Sequence, residues 1–576
     1  MQMSDDSSSS DGLSETGRAI RYHLQTKHHF HRYAKSLGYL DWTNQPNPFR
    51  RYAGAKLCPL PLLRPDDEPP SPRYDELYQW HTVPCRPLTI RSLSRFFELS
   101  LGLSAWKRAG ESEWALRINP SSGNLHPTEG YLLIPDVPSL QLDPGLYHYA
   151  PKEHGLEQRS TIEGAFVAQM LEPFPKESFF IGFTSVQWRE AWKYGERAFR
   201  YCHHDIGHAL GACRIAAASL GWRMLVLDAI DQTALAALLG TDRREDFSDA
   251  EPEHPDCLAV VWPQPAQRKS DAIIPCHLDV RQACPPSRWA WHGTANRLSP
   301  QEPVRWDIID DVSQATWKNE TRQSAGRTPS ADIRSFGEQD SPNYEHLAAS
   351  IIRQRRSAVA FDGLTSLSAA SFFRMLRLTV PGIEYPVSNR RVPWDAWPYD
   401  PTMHLLLFVH RIEGLTPGLY CLVRNPRRMD FLQQCMNSEL NWVIPPNCPS
   451  DLSLYWLLEG DAKRLAKQVS CHQDIAGDGA FSLGMIAEFE GTLQERGAWW
   501  YPRMFWESGI LGQVLYLEAE AAGVRATGIG CFFDDPVHEI VGIKGISLQS
   551  LYHFTVGGPV EDVRLLTLPA YFHMSQ

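Results

Sequence analysis

The chain has 576 residues, 43% hydrophobic, 21% charged and 11% aromatic, a composition expected of a soluble globular protein with room for several cores. A net charge of -11 and a pI near 6.0 leave no basic field to draw it onto nucleic acid or anionic lipid. No run approaches the about 18 uninterrupted apolar residues of a transmembrane helix, so no membrane span is expected. Met1–Gly12 is acidic and Ser-rich, with no apolar core of a secretory signal, and residues 1–20 read as a disordered tail. Residues 21–265 alternate apolar helical patterns with short strands and form a first domain. In 266–340 Pro, Ser, Gln and Arg dominate, as in Cys284–Ser287 and Ser324–Ser330. That texture predicts a connector, although Trp289, Trp291 and Trp306 point to packing on a domain surface. A second domain follows over 341–576. None of the 12 cysteines forms a CxxC pair, which fits a reduced, cytoplasmic compartment.

A search for internal repeats joins the two domains. LeuThrIleArgSerLeuSerArgPhePhe at 88–97 resembles LeuThrSerLeuSerAlaAlaSerPhePhe at 364–373, 276 residues later. LeuAspProGlyLeuTyr at 142–147 matches LeuThrProGlyLeuTyr at 415–420, 273 residues later. Gly207, Gly221, Arg223 and Gly240 align with Gly509, Gly523, Arg525 and Gly542, 302 residues later. Three anchors in one order predict a tandem duplication. Each half carries a long helix with an apolar stripe: Ile206, Leu210, Cys213, Ala217 and Leu220 in the first, Ile510, Val514, Leu517 and Ala521 in the second. Small residues crowd both helices, as two closely paired central helices require. Apolar runs at Tyr131–Ile134 and Leu405–Val409 read as buried strands. Helices and strands without regular βαβ alternation predict an α+β domain occurring twice.

Three short segments carry candidate chemistry. Pro120, Ser121, Ser122 and Asn124, around Gly123, form a compact polar cradle for a planar heterocycle with carbonyl edges. Arg355 and Arg356 offer bidentate, always-charged forks for a phosphate, and Ser357 adds a hydroxyl. Gly528, Ile529 and Gly530 permit close backbone approach to a flat ligand. Taken alone, the serine segment reads first as a polar turn and the arginine pair as a solvated face, while the glycines fit a plain turn equally well. His204 and His208 with Cys202, and the cluster His28, His29 and His31, lack any HExxH-type carboxylate, so no metal site is expected. No P-loop or GxGxxG motif is present, so any nicotinamide donor would bind transiently.

Together, ProSerSerGlyAsnLeuHisPro at 120–127, the ArgArgSer at 355–357 and AlaThrGlyIleGlyCysPhePheAspAsp at 526–535 resemble the nitroreductase superfamily of FMN flavoproteins. Arg189–Cys202 and the AspIleGlyHis that follows are similar to its SagB/ThcOx-type dehydrogenase branch. The resemblance implies an α+β fold that works as a dimer, with FMN held at the interface by motifs from both subunits. It also implies that Lys193 and Tyr194 assist proton removal beside the flavin, and that Arg564 helps hold the phosphate.

In the repeat alignment, Arg355, Arg356 and Ser357 fall opposite Gln79, Trp80 and His81. Pro120, Ser121, Ser122 and Asn124 fall opposite Pro393, Trp394, Asp395 and Trp397, and Gly528, Ile529 and Gly530 opposite Val226, Leu227 and Asp228. The first domain therefore keeps one element and the second keeps the other two. The expectation is a monomeric pseudo-dimer with one complete interdomain FMN site and one dead one. The activity expected is an FMN-dependent dehydrogenase on a peptide or small molecule, with azoline oxidation as its model. An NAD(P)H-dependent nitro or quinone reductase is the alternative, and a non-catalytic flavin- or partner-binding protein a further one.

Overall fold

The computed structural model describes residues 12–64, 67–79, 82–228, 230–264, 289–319 and 342–574. In the first half, α1 (Glu15–Gln25) begins at Ser14, whose hydroxyl accepts from Gly17 N and satisfies a donor the helix start leaves open. α2 (Ile90–Glu98) is capped reciprocally by Thr89 and Ser92. Strands β1 (Thr128–Ile134), β2 (Gly145–Ala150), β3 (Gly155–Thr161) and β4 (Phe179–Ser185) come next. After them run α3 (Gln187–Tyr194), α4 (Ala198–Ala218), β5 (Trp222–Leu227) and β6 (His254–Pro263). The second half holds α5 (Ala348–Gln354), α6 (Ala369–Thr379), β7 (Met403–Val409), β8 (Gly418–Leu422), β9 (Leu454–Glu459) and β10 (Phe481–Glu488). It closes with α7 (Tyr501–Ala521), β11 (Arg525–Ile529) and β12 (Leu548–Gly557).

The two antiparallel sheets repeat one topology, β3-β2-β1-β4-β6-β5 in the first half and β9-β8-β7-β10-β12-β11 in the second. Their burial repeats as well. Leu132 and Ile134 of β1, like Leu405 and Leu407 of β7, face a core shared by both halves. Tyr131 and Leu133, like Leu406 and Phe408, face separate outer cores, as the two-residue period of a strand covered on both faces requires. The architecture is an α+β domain in tandem.

The helices α4 and α7 cross at the centre of the shared core. Gly207 and Gly509, equivalent in the repeat, meet there. A Cβ added to either would lie 2.7 Å from the other's Cα, and would fall on the carbonyl oxygen of Trp506 or His204 respectively. These four residues are related by the same 302-residue spacing, so the crossing lies on the pseudo-twofold axis. An ionic tie joins the halves nearby. Asp534 is fully buried and accepts from Arg197 at 3.0 Å and Arg200 at 2.7 Å, and the two guanidiniums hold its pKa far below the usual carboxylate range against the opposing effect of burial.

Two boundaries differ from the sequence expectation. Residues 15–20 of the expected tail belong to α1, because Tyr22 and His23 bury against the second half; His23 meets Tyr501 and Gln549 at 3.2 and 3.1 Å. The described part of the connector is also built into the fold. Ala290–Trp291 adds an edge strand to β3, and the helix Asp307–Ala315 receives Arg18 and Arg21 of α1 on Asp311.

The glycine crossing predicts a sharp positional contrast. Gly207→Ala is expected to destabilise the protein by about 1–3 kcal/mol or more, since backbone must move to admit a methyl group. Gly491→Ala, exposed in the helix Glu490–Arg496 with nothing within 4 Å of an added Cβ, should be neutral or stabilising by up to about 1 kcal/mol. Urea unfolding of both variants would measure the difference, and equal effects would refute the close crossing.

Candidate functional site

Beside this crossing, between the halves, lies a cavity of about 360 Å³. Its first-half wall is the loop from Asn119 to His126, whose residues Gly123, Asn124 and His126 adopt left-handed backbone with φ of 61°, 60° and 52°. Hydrogen bonds hold that turn: Ser121 Oγ accepts from His126 N at 2.8 Å, and Asn124 bonds His126 Nε2 at 2.9 Å and Ala115 O at 2.9 Å. The second-half wall is Arg355, Arg356 and Ser357 at the end of α5, with Tyr516 of α7 and Gly528 of β11. Tyr516 knits these together, its hydroxyl lying 2.9 Å from Ser357 Oγ and accepting from Gly528 N at 2.8 Å. The mouth is closed on one side by a crossing arm. Leu566–Leu568 from the C-terminal segment pairs with the first-half strand Leu103–Ala109, and Val560, Glu561, Asp562 and Leu565 line the opening.

The cavity is rich in positive charge. Arg355 is buried and donates to Ile118 O and Arg117 O at 3.2 and 3.1 Å, while its Nη1 has no partner. Arg356 donates to Ser104 O at 3.0 Å; burial first, then the charge of Arg355, brings its pKa down to about 10. Arg117 is brought down to about 10 by burial, and its Nε is also unpartnered. Guanidiniums with lowered pKa values and spare N–H groups favour an anion in the cavity.

Below the loop the balance reverses. Asp205 of α4 lines the cavity and accepts weakly from Ser122 N at 3.4 Å, with Oδ2 unpartnered; burial pushes its pKa up to about 8. Glu190 of α3 is fully buried with both oxygens unpartnered. Burial, then the neighbouring Asp205 charge, pushes its pKa well above the usual carboxylate range. Burial thus favours the protonated form of both carboxyls, and Glu190 lies one helical turn before Lys193 in α3. Lys193 and Tyr194 sit over the loop, where a Cβ added to Gly123 would lie 3.1 Å from Lys193 Nζ and 2.8 Å from Tyr194 Oη.

The fold thus gathers Pro120, Ser121, Ser122, Asn124, Arg355, Arg356, Ser357 and Gly528 around one cavity, with Lys193 and Tyr194 packed on its Gly123 turn. Three other expected residues lie apart. Ile529 is buried in the second half's outer core, and Gly530 abuts the ring of Tyr201. Arg564 is exposed and forks onto Asp562 at 2.8 and 2.7 Å, beside the mouth rather than inside it. Asp205, Glu190, Arg117, His126 and Tyr516 were missed. Asp205 and Tyr516 gave no distinct signal, because the helices that carry them hold several other polar and ionisable residues.

The pseudo-symmetric location is filled by side chains. Asp395 accepts from Arg214 at 2.8 and 2.7 Å and from Arg223 at 2.7 Å, so the halves neutralise each other where the first site is cationic. Trp394 and Trp397 are buried there, Trp394 donating to Leu378 O at 2.8 Å. Lys318 and Arg503 approach Asp228 at 3.0 and 3.8 Å. Gln79 is described, whereas Trp80 and His81 lie outside the described residues.

Comparison with known proteins places this architecture. A crystal structure of a nitroreductase-class protein from Anabaena variabilis superposes with a TM-score of 0.63 and 22% identity, over 94% of this chain and 99% of that one. The fold is that of the nitroreductases. A Methanocaldococcus jannaschii protein named as a nitroreductase is 28% identical over 142 residues, 23% of this chain, and the match spans 66% of that relative's length. A chain of the Escherichia coli microcin synthetase McbBCD complex aligns over 43% of this chain and 93% of its own, at 15% identity and a TM-score of 0.26. No protein-family profile matches the sequence. Among the described residues, no helix is long and apolar enough to cross a membrane, and no group of three or more His, Cys, Asp or Glu is placed to hold a metal.

Asp205 makes a stability prediction within this nitroreductase fold. Its pKa is about 4 in an unfolded chain and about 8 in the fold, so between these values the native state holds the extra proton. Its contribution to stability is therefore greatest below about pH 4 and is lost as pH rises toward 8, with a slope of at most about 1.4 kcal/mol per unit. Asp205→Asn should remove this share and flatten the decline between pH 5 and 8, leaving those of Glu190, whose pKa burial also raises, and of Asp256, also pushed up to about 8. Urea unfolding across that range tests it; an unchanged slope would show that Asp205 is ionised in the native state.

Proposed function

We propose that the protein is an FMN-dependent oxidoreductase with one flavin site per chain, acting as a dehydrogenase of the SagB/ThcOx type on a C–H or N–H bond of a peptide or small molecule. The observation that carries the reading is the unpartnered guanidinium nitrogen of buried Arg355, held in a cavity that already joins the serine loop of one half to Ser357 and Gly528 of the other. The donor set fits the cofactor. Arg355, Arg356 and Ser357 would take the phosphate. Ser121, Ser122 and Asn124 would address the polar edge of the ring, and Gly528 would let the backbone lie close to it. When bound, FMN supplies a two-electron acceptor for hydride.

The protein's own part is to bind, orient and manage one proton. Lys193 Nζ, placed above the Gly123 turn, would accept the proton lost from the X–H bond adjacent to the C–H bond that gives up hydride, so that a double bond forms between the two atoms. Tyr194, kept neutral because burial raises its pKa well above the usual phenol range, would orient that amine or the substrate by hydrogen bonding. Glu190 and Asp205 beneath the loop keep the floor neutral, so no fixed anion opposes the arrival of an electron-rich cofactor. A cytoplasmic setting with NAD(P)H as an occasional donor accords with this chemistry.

Binding gives the first test. Purified protein reconstituted with FMN should retain one flavin per chain, measured after denaturing release. Arg355→Ala should weaken binding about ten- to a hundredfold, the equivalent of the roughly 1.5–3 kcal/mol of a charge-assisted hydrogen bond. Gln79→Ala, at the exposed equivalent position of the first half, should leave affinity unchanged. Two flavins per chain, or equal losses in both variants, would contradict the single interdomain site.

Kinetics gives the second. Lys193→Ala should keep its FMN and its reduction by dithionite, yet lose about 10²–10⁴-fold in turnover on an azoline-like substrate, the usual cost of a missing general base. Tyr194→Phe should lose less. A quinone needs no such base, because solvent protonates the acceptor, so quinone reduction should be unaffected by Lys193→Ala. Unchanged rates on both substrates would move the assignment to a simple reductase.

A further inference from the structure

Beyond the flavin site, a second cluster of reactive side chains lies at the far end of β11. Cys531 follows Gly530 directly, and its Sγ is 3.0 Å from Cys471 Sγ in the turn after the helix Lys463–Val469. Cys471 and His472 both adopt left-handed backbone, with φ of 53° and 59°, which non-glycine residues adopt in succession only when their surroundings hold them there. Two ties hold this turn against the strand end. Phe533 N donates to Val469 O at 2.8 Å, and Gln473 Nε2 donates to Cys531 O at 2.9 Å. The sulfurs thus meet between two segments that are already fastened together on either side.

The surroundings divide the pair into two roles. The two thiols are in hydrogen-bond contact, and His28 and the Arg197 guanidinium lie close to Cys531. Together these hold the Cys531 pKa down to about 5, against burial, while Cys471 is pushed up by the same contact and by burial. Both side chains are only partly buried, whereas Cys202, Cys213, Cys257 and Cys421 are fully so. Of the other partly exposed cysteines, Cys85 and Cys448 give their thiols to carbonyl oxygens of Arg86, Pro449 and Leu452. A nucleophilic thiolate therefore has a resolving thiol already in contact.

We infer that Cys531 and Cys471 form a redox-active dithiol, Cys531 attacking and Cys471 resolving, that exchanges with small-molecule disulfides. The Cys531 thiolate would attack one sulfur of the external disulfide, forming a mixed disulfide and expelling one thiolate. Cys471 would then attack Cys531 Sγ, its proton passing through solvent to the departing sulfur as the second external thiol leaves. Two protein thiols are oxidised to one disulfide, and one external disulfide is reduced to two thiols. The new bond would bind the end of β11 to the turn at 470–473, one residue beyond the glycine that abuts Tyr201, whose ring lies 4.4 Å from that of Tyr194.

The experiment equilibrates the full chain with oxidised and reduced glutathione in varied ratio, then traps thiols by alkylation and reads intact and peptide masses. Wild type should lose two alkylatable thiols together and yield one cross-linked peptide pair containing Cys471 and Cys531, reversed by dithiothreitol. Cys471→Ser should stop at one glutathione on Cys531, and Cys531→Ser should leave Cys471 free. At pH 6.5, native Cys531 should alkylate at least tenfold faster than Cys448, a wild-type measurement independent of either variant. Full alkylation of both cysteines after oxidised glutathione, pairing with a different cysteine, or no adduct on Cys531 in Cys471→Ser would each overturn the inference.

Discussion

The structure depends on the contact between two glycines. Gly207 and Gly509 bring α4 and α7 so close that backbone meets backbone at the centre of the chain. Helices with larger side chains at a crossing are typically held about 8–10 Å apart. This crossing sets how far each half's loops reach across the other. The serine loop of the first half and the arginine turn of the second can line one cavity because no side chain separates their supporting helices. Asp534, buried between Arg197 and Arg200, fastens the same crossing ionically from the second half.

Duplication places two chemically different environments on one backbone plan. At the open site, Arg117, Arg355 and Arg356 stand without a carboxylate in hydrogen-bond contact among the described residues. At its pseudo-symmetric counterpart, Asp395 occupies the place of Ser122 in the repeat and neutralises Arg214 and Arg223. The helices differ in the same sense. Asp205 is left uncharged beneath the open site, whereas its equivalent Glu507 is buried in an ion pair with Arg424 and accepts from Thr402 N and Oγ1. One site leaves its charges for something else to complete, and the other completes them internally.

Much of this was legible from repeated short motifs. The duplication shows in ProGlyLeuTyr and in the paired Phe-Phe steps, because turns and core contacts tolerate few residue types. The complementary halves of the cavity show because Trp394 and Trp397 cannot do the work of serines. Other features were hidden for physical reasons. Arg564 was expected to help hold the phosphate on the strength of the family resemblance, but its side chain is satisfied by Asp562 two residues away. Glu190 and Asp205 become informative only when burial removes water from them, and burial is a tertiary property. The arm at 560–568 shows no periodicity that would place it against a hairpin 460 residues earlier.

The filled counterpart has a mechanical consequence for the open one. In a symmetric dimer with two cofactor sites, both clefts lose their contents together when the cofactor leaves. Here the Arg214–Asp395–Arg223 cluster is made entirely of protein groups and joins α4 and β5 of the first half to the turn before β7 of the second. Breaking it would leave buried charge unpaired, which typically costs several kcal/mol. One side of the pseudo-twofold axis is therefore closed whatever occupies the other. The glycine crossing fixes the distance between the halves, and the closed side resists their rotation about it. Arg355 and Arg356 are thereby held at the cavity before any anion arrives, and the cost of collecting them is met by folding rather than by binding.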